Sequence, residues 1–227
     1  MTESPRFALA EVEVREVLEA GWRRATRQVP GMLGELLGNL TDRLLGRPPT
    51  LEREVRRLRD LYVPVSPKQG RLLYLLARAR GARRIVEFGT SFGLSTIHLA
   101  AAVRDNGGGQ VVGTELEPRK VAVARRNLEA AGLSDWAEIR EGNALDTLSD
   151  PGGPVDLVFL DGFAPLYLPV LELVAPQLSP GAVIVADNLF TFRRQLAEYV
   201  AYMRDPSNGF LSIPLFLKDG TELSVRL

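Results

Sequence analysis

The strongest constraint on the fold is an alternation of short apolar runs with helical segments that begins at residue 67. Runs that are apolar throughout, each followed by a helix, are typical of parallel strands buried between two layers of helices. The last two runs, 209–217 and 221–227, are joined by Lys218-Asp219-Gly220 and predict an antiparallel hairpin. We therefore predict an α/β fold: a doubly wound, mostly parallel seven-stranded sheet with a terminal antiparallel hairpin and N-terminal helices. The five earlier strands are predicted within 82–88, 110–115, 136–142, 154–161 and 181–188.

Residues 1–62 have a different pattern, in which short amphipathic segments are separated by helix-breaking residues. One helix is predicted to end near Gly21, and a second apolar segment follows Pro30-Gly31. A third helix is predicted to begin after Thr50, whose hydroxyl suits an N-cap. Helices this short do not form a core by themselves. We therefore predict an N-terminal helical extension over 1–62, which caps the ligand pocket or forms a homodimer contact, and one main domain over 63–227.

Composition excludes several classes of function. The chain has no Cys, so disulfides, zinc fingers, iron–sulfur clusters and thiol catalysis are excluded. Its single histidine, His98, excludes multi-histidine metal sites, and we expect it to lie on a helix surface or to pack, without a catalytic role. Lys and Arg together number 28, as do Asp and Glu, and this balance argues against a nucleic-acid partner.

The same sequence argues against a membrane partner. No apolar run approaches the ~20 residues that are needed to span a bilayer. Acidic residues also stand too close to the N-terminus for a targeting peptide. We therefore expect a cytoplasmic protein.

A glycine-containing loop follows the first strand of the main domain. In a doubly wound sheet, ligands bind beyond the carboxyl ends of the strands. Gly89 and Gly93 stand there with a Gly-x-x-x-Gly spacing, which differs from the Gly-x-Gly-x-x-Gly of nicotinamide-binding proteins. Glu115 ends the next strand, where an acid can accept hydrogen bonds from a ribose diol. Together these features favour a ligand that contains a nucleoside.

The loop sequence also carries a family resemblance. The segment E-F-G-T-S-F-G-L-S, residues 87–95, resembles motif I of class I S-adenosylmethionine-dependent methyltransferases. Residues 63 to 227 look most like the small-molecule O-methyltransferases related to catechol and caffeoyl-CoA O-methyltransferases. The resemblance implies that S-adenosylmethionine is the cofactor. The residues it implies in cofactor binding are Val65, Glu87, Gly89, Ser91, Gly93, Ser95, Glu115, Leu116, Asn143, Ala144, Asp161 and Phe163.

Three oxygen-bearing side chains end two consecutive strands and predict a metal site. Asp161 follows one strand and Asp187-Asn188 follows the next, so they converge if these strands are neighbours ~4.8 Å apart. Asp, Asp and Asn suit Mg²⁺ or another divalent cation. On spacing alone, an equal alternative is that Asp161 bonds a loop and Asp187-Asn188 caps a helix. The resemblance implies that all three are magnesium ligands.

The resemblance implies methyl transfer to a hydroxyl of a small aromatic, catechol-like acceptor, with Asp161 acting through the metal. The family places a Lys shortly after this Asp, but Ala164 stands there, although Tyr167 still matches the family pattern. Two alternatives follow from this departure: a metal-independent methyltransferase with another acceptor, or a cofactor-binding protein without transferase activity. Phe190 and Phe192 are candidates for the acceptor pocket.

Overall fold

The predicted sheet is present in the computed structural model, which describes residues 7–28 and 50–227. Its seven strands lie in the order β3-β2-β1-β4-β5-β7-β6. The first five strands in this order pair in parallel with one another, and the terminal hairpin joins β5 through an antiparallel pairing with β7. The strands are β1 Arg84–Phe88, β2 Gln110–Glu115, β3 Ala137–Glu141, β4 Val155–Leu160, β5 Leu178–Ala186, β6 Phe210–Leu215 and β7 Thr221–Arg226.

Helices connect the strands and cover both faces of the sheet. No helix within the described residues is long and apolar enough to cross a membrane. The α-helices are α1 Val12–Arg27, α2 Leu51–Leu58, α3 Pro67–Arg80, α4 Leu94–Asp105, α5 Pro118–Ala130, α6 Ala144–Thr147, α7 Tyr167–Val174 and α8 Ala197–Arg204. Short 3-10 turns lie at Ala8–Ala10, Ser134–Trp136, Ala164–Leu166, Ala175–Gln177 and Pro206–Asn208.

The chain carries clear local signals for where its helices begin and end. The Thr50 hydroxyl accepts a hydrogen bond from the backbone N–H of Arg53, as expected of an N-cap. Gly81 ends α3 in the left-handed conformation, with φ of 64°. Pro118 occupies the first turn of α5, where its missing N–H costs nothing.

The prediction that the first helix ends near Gly21 is wrong. Helix α1 continues to Arg27, and Gly21 lies in its interior. A Cβ at this position would lie 2.6 Å from Leu94 Cδ2, so glycine allows α1 to approach α4 closely. The predicted segment after Pro30-Gly31 lies outside the described residues.

Two apolar layers hold the sheet. One contains side chains from α1, α3, α4 and α5, and the other contains side chains from α6, α7 and α8. Strand β1 contributes to both because its residues alternate: Ile85 belongs to the first layer, whereas Val86 and Phe88 belong to the second. The sheet is thereby buried on both faces, and its carboxyl edge is left to carry polar residues.

Candidate active site

The polar residues that end β1, β2, β4 and β5 meet at the carboxyl edge of the sheet. The ladder of backbone hydrogen bonds continues past the strands, because Asp161 N–H donates to the Phe88 carbonyl at 2.9 Å and Asp187 N–H donates to the Leu160 carbonyl at 2.9 Å. Asp161 and Asp187 therefore lie side by side on neighbouring strands. We call the region around Glu87, Glu115, Asp161 and Asp187 the strand-end site.

The glycine loop folds back tightly against β2. The N–H groups of Gly89 and Thr90 both donate to the Thr114 carbonyl, at 3.2 and 3.0 Å. Gly89 has φ of 96°, and a Cβ there would lie 2.6 Å from the Asp161 carbonyl oxygen. Glycine is therefore required at this position by the close approach of two segments of the chain. Gly93 has φ of 83° and begins α4, which directs its N-terminal N–H groups toward the strand-end site.

Glu115 ties the loop to the second strand. Its carboxylate accepts hydrogen bonds from the backbone N–H of Ser91 at 2.8 Å and of Glu117 at 2.9 Å. Ser91 adopts a left-handed conformation, with φ of 50°. Each carboxylate oxygen retains a lone pair after these bonds, so Glu115 can still accept hydrogen bonds from a ligand hydroxyl.

Glu87 is a fully buried acid at the end of β1. One of its oxygens accepts hydrogen bonds from the hydroxyls of Thr90 and Thr96, and the other has no partner. Gly113 on the neighbouring strand makes room for the Thr90 hydroxyl that bonds to Glu87, since a Cβ at position 113 would lie 2.4 Å from that hydroxyl. Burial raises the pKa of Glu87, and the three threonine and serine hydroxyls around it oppose that rise.

Asp161, Asp187 and Asn188 form the centre of the strand-end site. Asn188 Nδ2 donates to Asp161 Oδ1 at 2.7 Å, and Asn188 is held in the left-handed region, with φ of 66°. Asp187 is fully buried, and neither of its carboxylate oxygens has a hydrogen-bond partner. Burial raises the pKa of both carboxyls, and the charge of Asp187 raises that of Asp161 further. The Asp187 side chain does not cap a helix.

Buried polar atoms without partners concentrate here. The described residues contain eight such side-chain atoms, and five of them belong to Gln69, Glu87 and Asp187. Gln69, in the first turn of α3, is fully buried, and neither amide atom makes a hydrogen bond of good geometry, although the amide lies close enough to Asp187 to lower the pKa of that carboxyl. Unpaired buried polar groups are costly, so their concentration at one place indicates a site built for a polar ligand.

The donor set fits a hard divalent cation in its chemistry. Two adjacent carboxylates with raised pKa values and an amide oxygen are oxygen ligands of the type that Mg²⁺ binds, usually with several waters retained. Within residues 7–28 and 50–227, no group of three or more His, Cys, Asp and Glu side chains could hold a metal. A cation here would therefore depend on two carboxylates and the Asn188 amide.

The other predicted cofactor residues border the same region. Ser95 is buried in the first turn of α4, and Val65 is buried just before α3. Leu116 and Phe163 are partly exposed where β2 and β4 end. Asn143 caps the short helix α6 through a bond from the Leu145 N–H at 3.1 Å, and Ala144 is buried beside it.

Position 164 offers no amine to the site. Ala164 is only 5% exposed and packs in the second apolar layer. Tyr167 is fully buried close by, with its hydroxyl donating to the Asp187 carbonyl at 3.3 Å. Burial raises the pKa of Tyr167, so this phenol stays protonated as a donor.

His98 is buried in α4, so of the two expected placements the packing one is correct and the helix-surface one is wrong. It is 1% exposed, its Nδ1 lies 2.8 Å from the Leu94 carbonyl, and burial lowers its pKa to about 4.

The two candidates for the acceptor pocket differ from each other, because Phe190 is half exposed and stacks on Phe216, whereas Phe192 packs against the second layer.

Three features of the site were not predicted from the sequence. The first is the unpaired Gln69 amide, and the second is the stacking of Tyr62 on Phe92 in the glycine loop, with ring centroids 3.7 Å apart. The third is the hydrogen bond from Lys218 Nζ to the Pro64 carbonyl. The Gln69 amide follows the Ser66-Pro67 signal that begins α3, so its place at a helix start was available from the sequence. The other two depend on tertiary contacts.

A doubly wound sheet with this strand order, a glycine loop after β1 and an acid ending β2 defines a Rossmann-like methyltransferase fold. A family profile described as a methyltransferase domain matches residues 86–189. The chain is 38% identical over 140 residues to a catechol O-methyltransferase of Niastella koreensis and 43% identical over 137 residues to one of Mycobacterium tuberculosis. Each alignment covers 60% of this chain, and they span 62% and 61% of the length of these two relatives.

A solved structure extends the similarity over most of the fold. The O-methyltransferase TomG of Streptomyces achromogenes, in complex with S-adenosylmethionine, is 31% identical, with a TM-score of 0.66. The match covers 76% of this chain and 86% of that one. The chain belongs to the class I S-adenosylmethionine-dependent O-methyltransferases.

Proposed function

We propose that this protein transfers a methyl group from S-adenosylmethionine to a hydroxyl of a small aromatic, catechol-like acceptor, with assistance from Mg²⁺. The observation that carries this proposal is the strand-end site itself: unpaired Asp187 beside Asp161 and Asn188, one strand away from the glycine loop. The curated relatives named above are catechol O-methyltransferases, which supports the choice of acceptor class.

The chain's own residues would bind and orient the cofactor. Glu115 would accept hydrogen bonds from the ribose hydroxyls, because its carboxylate is already fixed by two backbone N–H groups. Ser95 and the backbone at Val65 would hold the carboxylate of the methionine portion at the N-terminal end of α4, where the helix dipole favours negative charge. Glu87, with one free oxygen, would accept a hydrogen bond from the amino group of the same portion.

Asp161, Asp187 and Asn188 would hold the cation. Bound there, Mg²⁺ would lower the pKa of an acceptor hydroxyl that it contacts. The fixed positions of the two strand ends would orient that hydroxyl, and alignment of reacting groups supplies a large share of such a rate enhancement.

The test is a methylation assay with catechol and flavonoid acceptors, in which the release of S-adenosylhomocysteine is measured. We expect turnover with Mg²⁺ and a loss of at least about a hundredfold in EDTA and in Asp161→Ala. Asp135→Ala is the matched control, since Asp135 is an exposed acid just before β3, at the end of that strand opposite to the carboxyl edge. If activity persists undiminished in EDTA and in Asp161→Ala, the metal-assisted mechanism is wrong.

A metal-independent methyltransferase of the same fold is the second candidate. It is favoured by the small donor set, with two carboxylates and an amide, and by Ala164 at the position of the family lysine. Turnover in EDTA on a non-catechol acceptor would support it. A third candidate, a cofactor-binding protein without transferase activity, would be excluded by turnover on any acceptor.

For residues 1–62 we propose a role as a cap over the acceptor pocket or as a homodimer contact, in a cytoplasmic enzyme. Helix α1 packs against α4 through Gly21, and the Trp22 indole N–H donates to the Val65 carbonyl at 3.0 Å. The extension therefore contacts the segment proposed to bind the cofactor. A monomer in sedimentation equilibrium of the full chain would exclude the homodimer contact and leave the cap.

A further inference from the structure

The turn between β6 and β7 is fixed against the strand-end site. Leu189 N–H donates to the Gly220 carbonyl at 3.1 Å, and Phe190 N–H donates to the Asp219 carbonyl at 2.9 Å. Gly220 has φ of 83°, and a Cβ there would lie 2.8 Å from the Phe190 ring. The turn is therefore bound directly to the residues that follow Asn188.

Lys218 lies in this turn, two residues before Gly220, and its side chain is exposed. Its Nζ donates to the Pro64 carbonyl at 3.3 Å, which connects the hairpin to the segment before α3. The backbone at Lys218 is left-handed, with φ of 51°. An ammonium group has three donors, so two remain available after the bond to Pro64.

The charge of Lys218 acts on the centre of the site. It lowers the pKa of both Asp161 and Asp187, which burial otherwise raises. Two acids act in the opposite sense, since Asp219 raises the pKa of Asp187 and Glu87 raises that of Asp161.

The chain has two other lysines, Lys68 and Lys120. Lys120 is buried with its Nζ 5.5 Å from the centre of the Phe92 ring. Lys68 is exposed in the first turn of α3. Lys218 is thus the lysine whose turn bonds to the residues after Asn188 and whose ammonium group bonds to Pro64, next to Val65.

We propose that Lys218 is a catalytic residue, whose ammonium contacts the reacting oxygen of the acceptor and stabilises its ionised form. This inference rests on the proposed methyl transfer. The hydroxyl proton leaves to solvent, the oxyanion lone pair forms the new O–C bond, and the C–S bond breaks with its electron pair remaining on sulfur. Lys218 keeps its proton in this step, so it acts as a fixed positive charge and not as the base.

The first test measures binding, without turnover. 4-Nitrocatechol absorbs visible light when ionised, so its pKa can be measured while it is bound to the protein in the presence of S-adenosylhomocysteine and Mg²⁺. We expect Lys218→Met to raise the pKa of the bound ligand by about one unit, a tenfold change in the ionised ratio. Lys218→Arg should preserve most of the wild-type value, and Lys68→Met is the matched control that should leave it unchanged.

The second test compares two acceptors. Lys218→Met should lower kcat about tenfold with catechol, and much less with 4-nitrocatechol, whose hydroxyl ionises more readily. An unchanged ligand pKa, or an equal loss with both acceptors, would overturn the role of Lys218. A merely structural role through Pro64 would weaken S-adenosylhomocysteine binding and leave the ligand pKa unchanged. If the wild type neither binds nor methylates any catechol, the proposed function fails as well, and that outcome is visible before any variant is made.

Discussion

Replacing Asp187 by Asn should stabilise the metal-free protein. Asp187 and Asp161 end neighbouring strands, which lie ~5 Å apart, and Asp187 is fully buried without a hydrogen-bond partner. At that separation and an effective dielectric constant of about 20, two negative charges repel by ~3 kcal/mol. Partial protonation and Lys218 relieve some of this, so we expect a gain of roughly 1–3 kcal/mol in the free energy of unfolding.

The assay is urea unfolding of the wild type and of Asp187→Asn, each with and without Mg²⁺. Bound cation should stabilise the wild type by ~2.7 kcal/mol at a hundred times its Kd, while the variant gains nothing. When Mg²⁺ is added, the difference in stability between Asp187→Asn and the wild type should therefore disappear or change sign. Asp135→Asn, an exposed acid, is the control and should change stability by less than ~0.5 kcal/mol.

A metal-free Asp187→Asn protein that unfolds at lower urea than the wild type would refute this reasoning. It would mean that the Asp187 carboxylate makes favourable contacts in the folded state. An Mg²⁺ stabilisation that survives in the variant would refute the assignment of Asp187 as a ligand.

Three further predictions follow from buried or crowded positions. Burial lowers the pKa of His98 to about 4, so its neutral form contributes stability above pH ~6.5 that is lost as the pH falls toward 4. In urea unfolding measured over that pH range, the wild type should lose ~3 kcal/mol more in its free energy of unfolding than His98→Gln does. Gly89→Ala should lower the free energy of unfolding by ~2–4 kcal/mol, measured by thermal unfolding. Gly132→Ala is the control, also at positive φ but with nothing within 4 Å of its Cβ, and should lower it by only ~1 kcal/mol. Equal losses would contradict the close approach of Gly89 to Asp161. Trp22→Phe removes the indole donor to the Val65 carbonyl and should weaken S-adenosylhomocysteine binding about fivefold by calorimetry, and unchanged affinity would show that this contact does not position the cofactor segment.

Much of the fold could be predicted because the signals were local. Strands that are buried on both faces are apolar throughout, and Gly81 and Pro118 mark helix ends through their own backbone restrictions. The prediction at Gly21 was wrong because this glycine allows α1 to pack closely against α4 and does not end the helix. A glycine that stops a helix and one that permits close packing are identical in the sequence.

The same distinction applies to the candidate site. Asp161 and Asp187 could be placed together because the carboxyl ends of parallel strands share one edge of a sheet. Lys218 could not, since its contact with Pro64 joins positions 154 residues apart. The stacking of Tyr62 on Phe92 is likewise a tertiary contact between the extension and the glycine loop. Local patterns therefore predicted the acidic part of the site, whereas the position of the Lys218 ammonium group could be seen only in the folded chain.

The most direct test of the account is calorimetric titration of the protein with S-adenosylhomocysteine, using the wild type, Ser95→Ala and Glu115→Ala. Glu115 is fixed by the N–H groups of Ser91 and Glu117 at the place proposed for the ribose, and Ser95 is buried at the N-terminal end of α4. We predict binding by the wild type and a loss of about tenfold or more in affinity for each variant, since each removes a hydrogen bond to a charged or diol group. Equal binding by all three proteins would contradict the assignment of this edge of the sheet as the cofactor site.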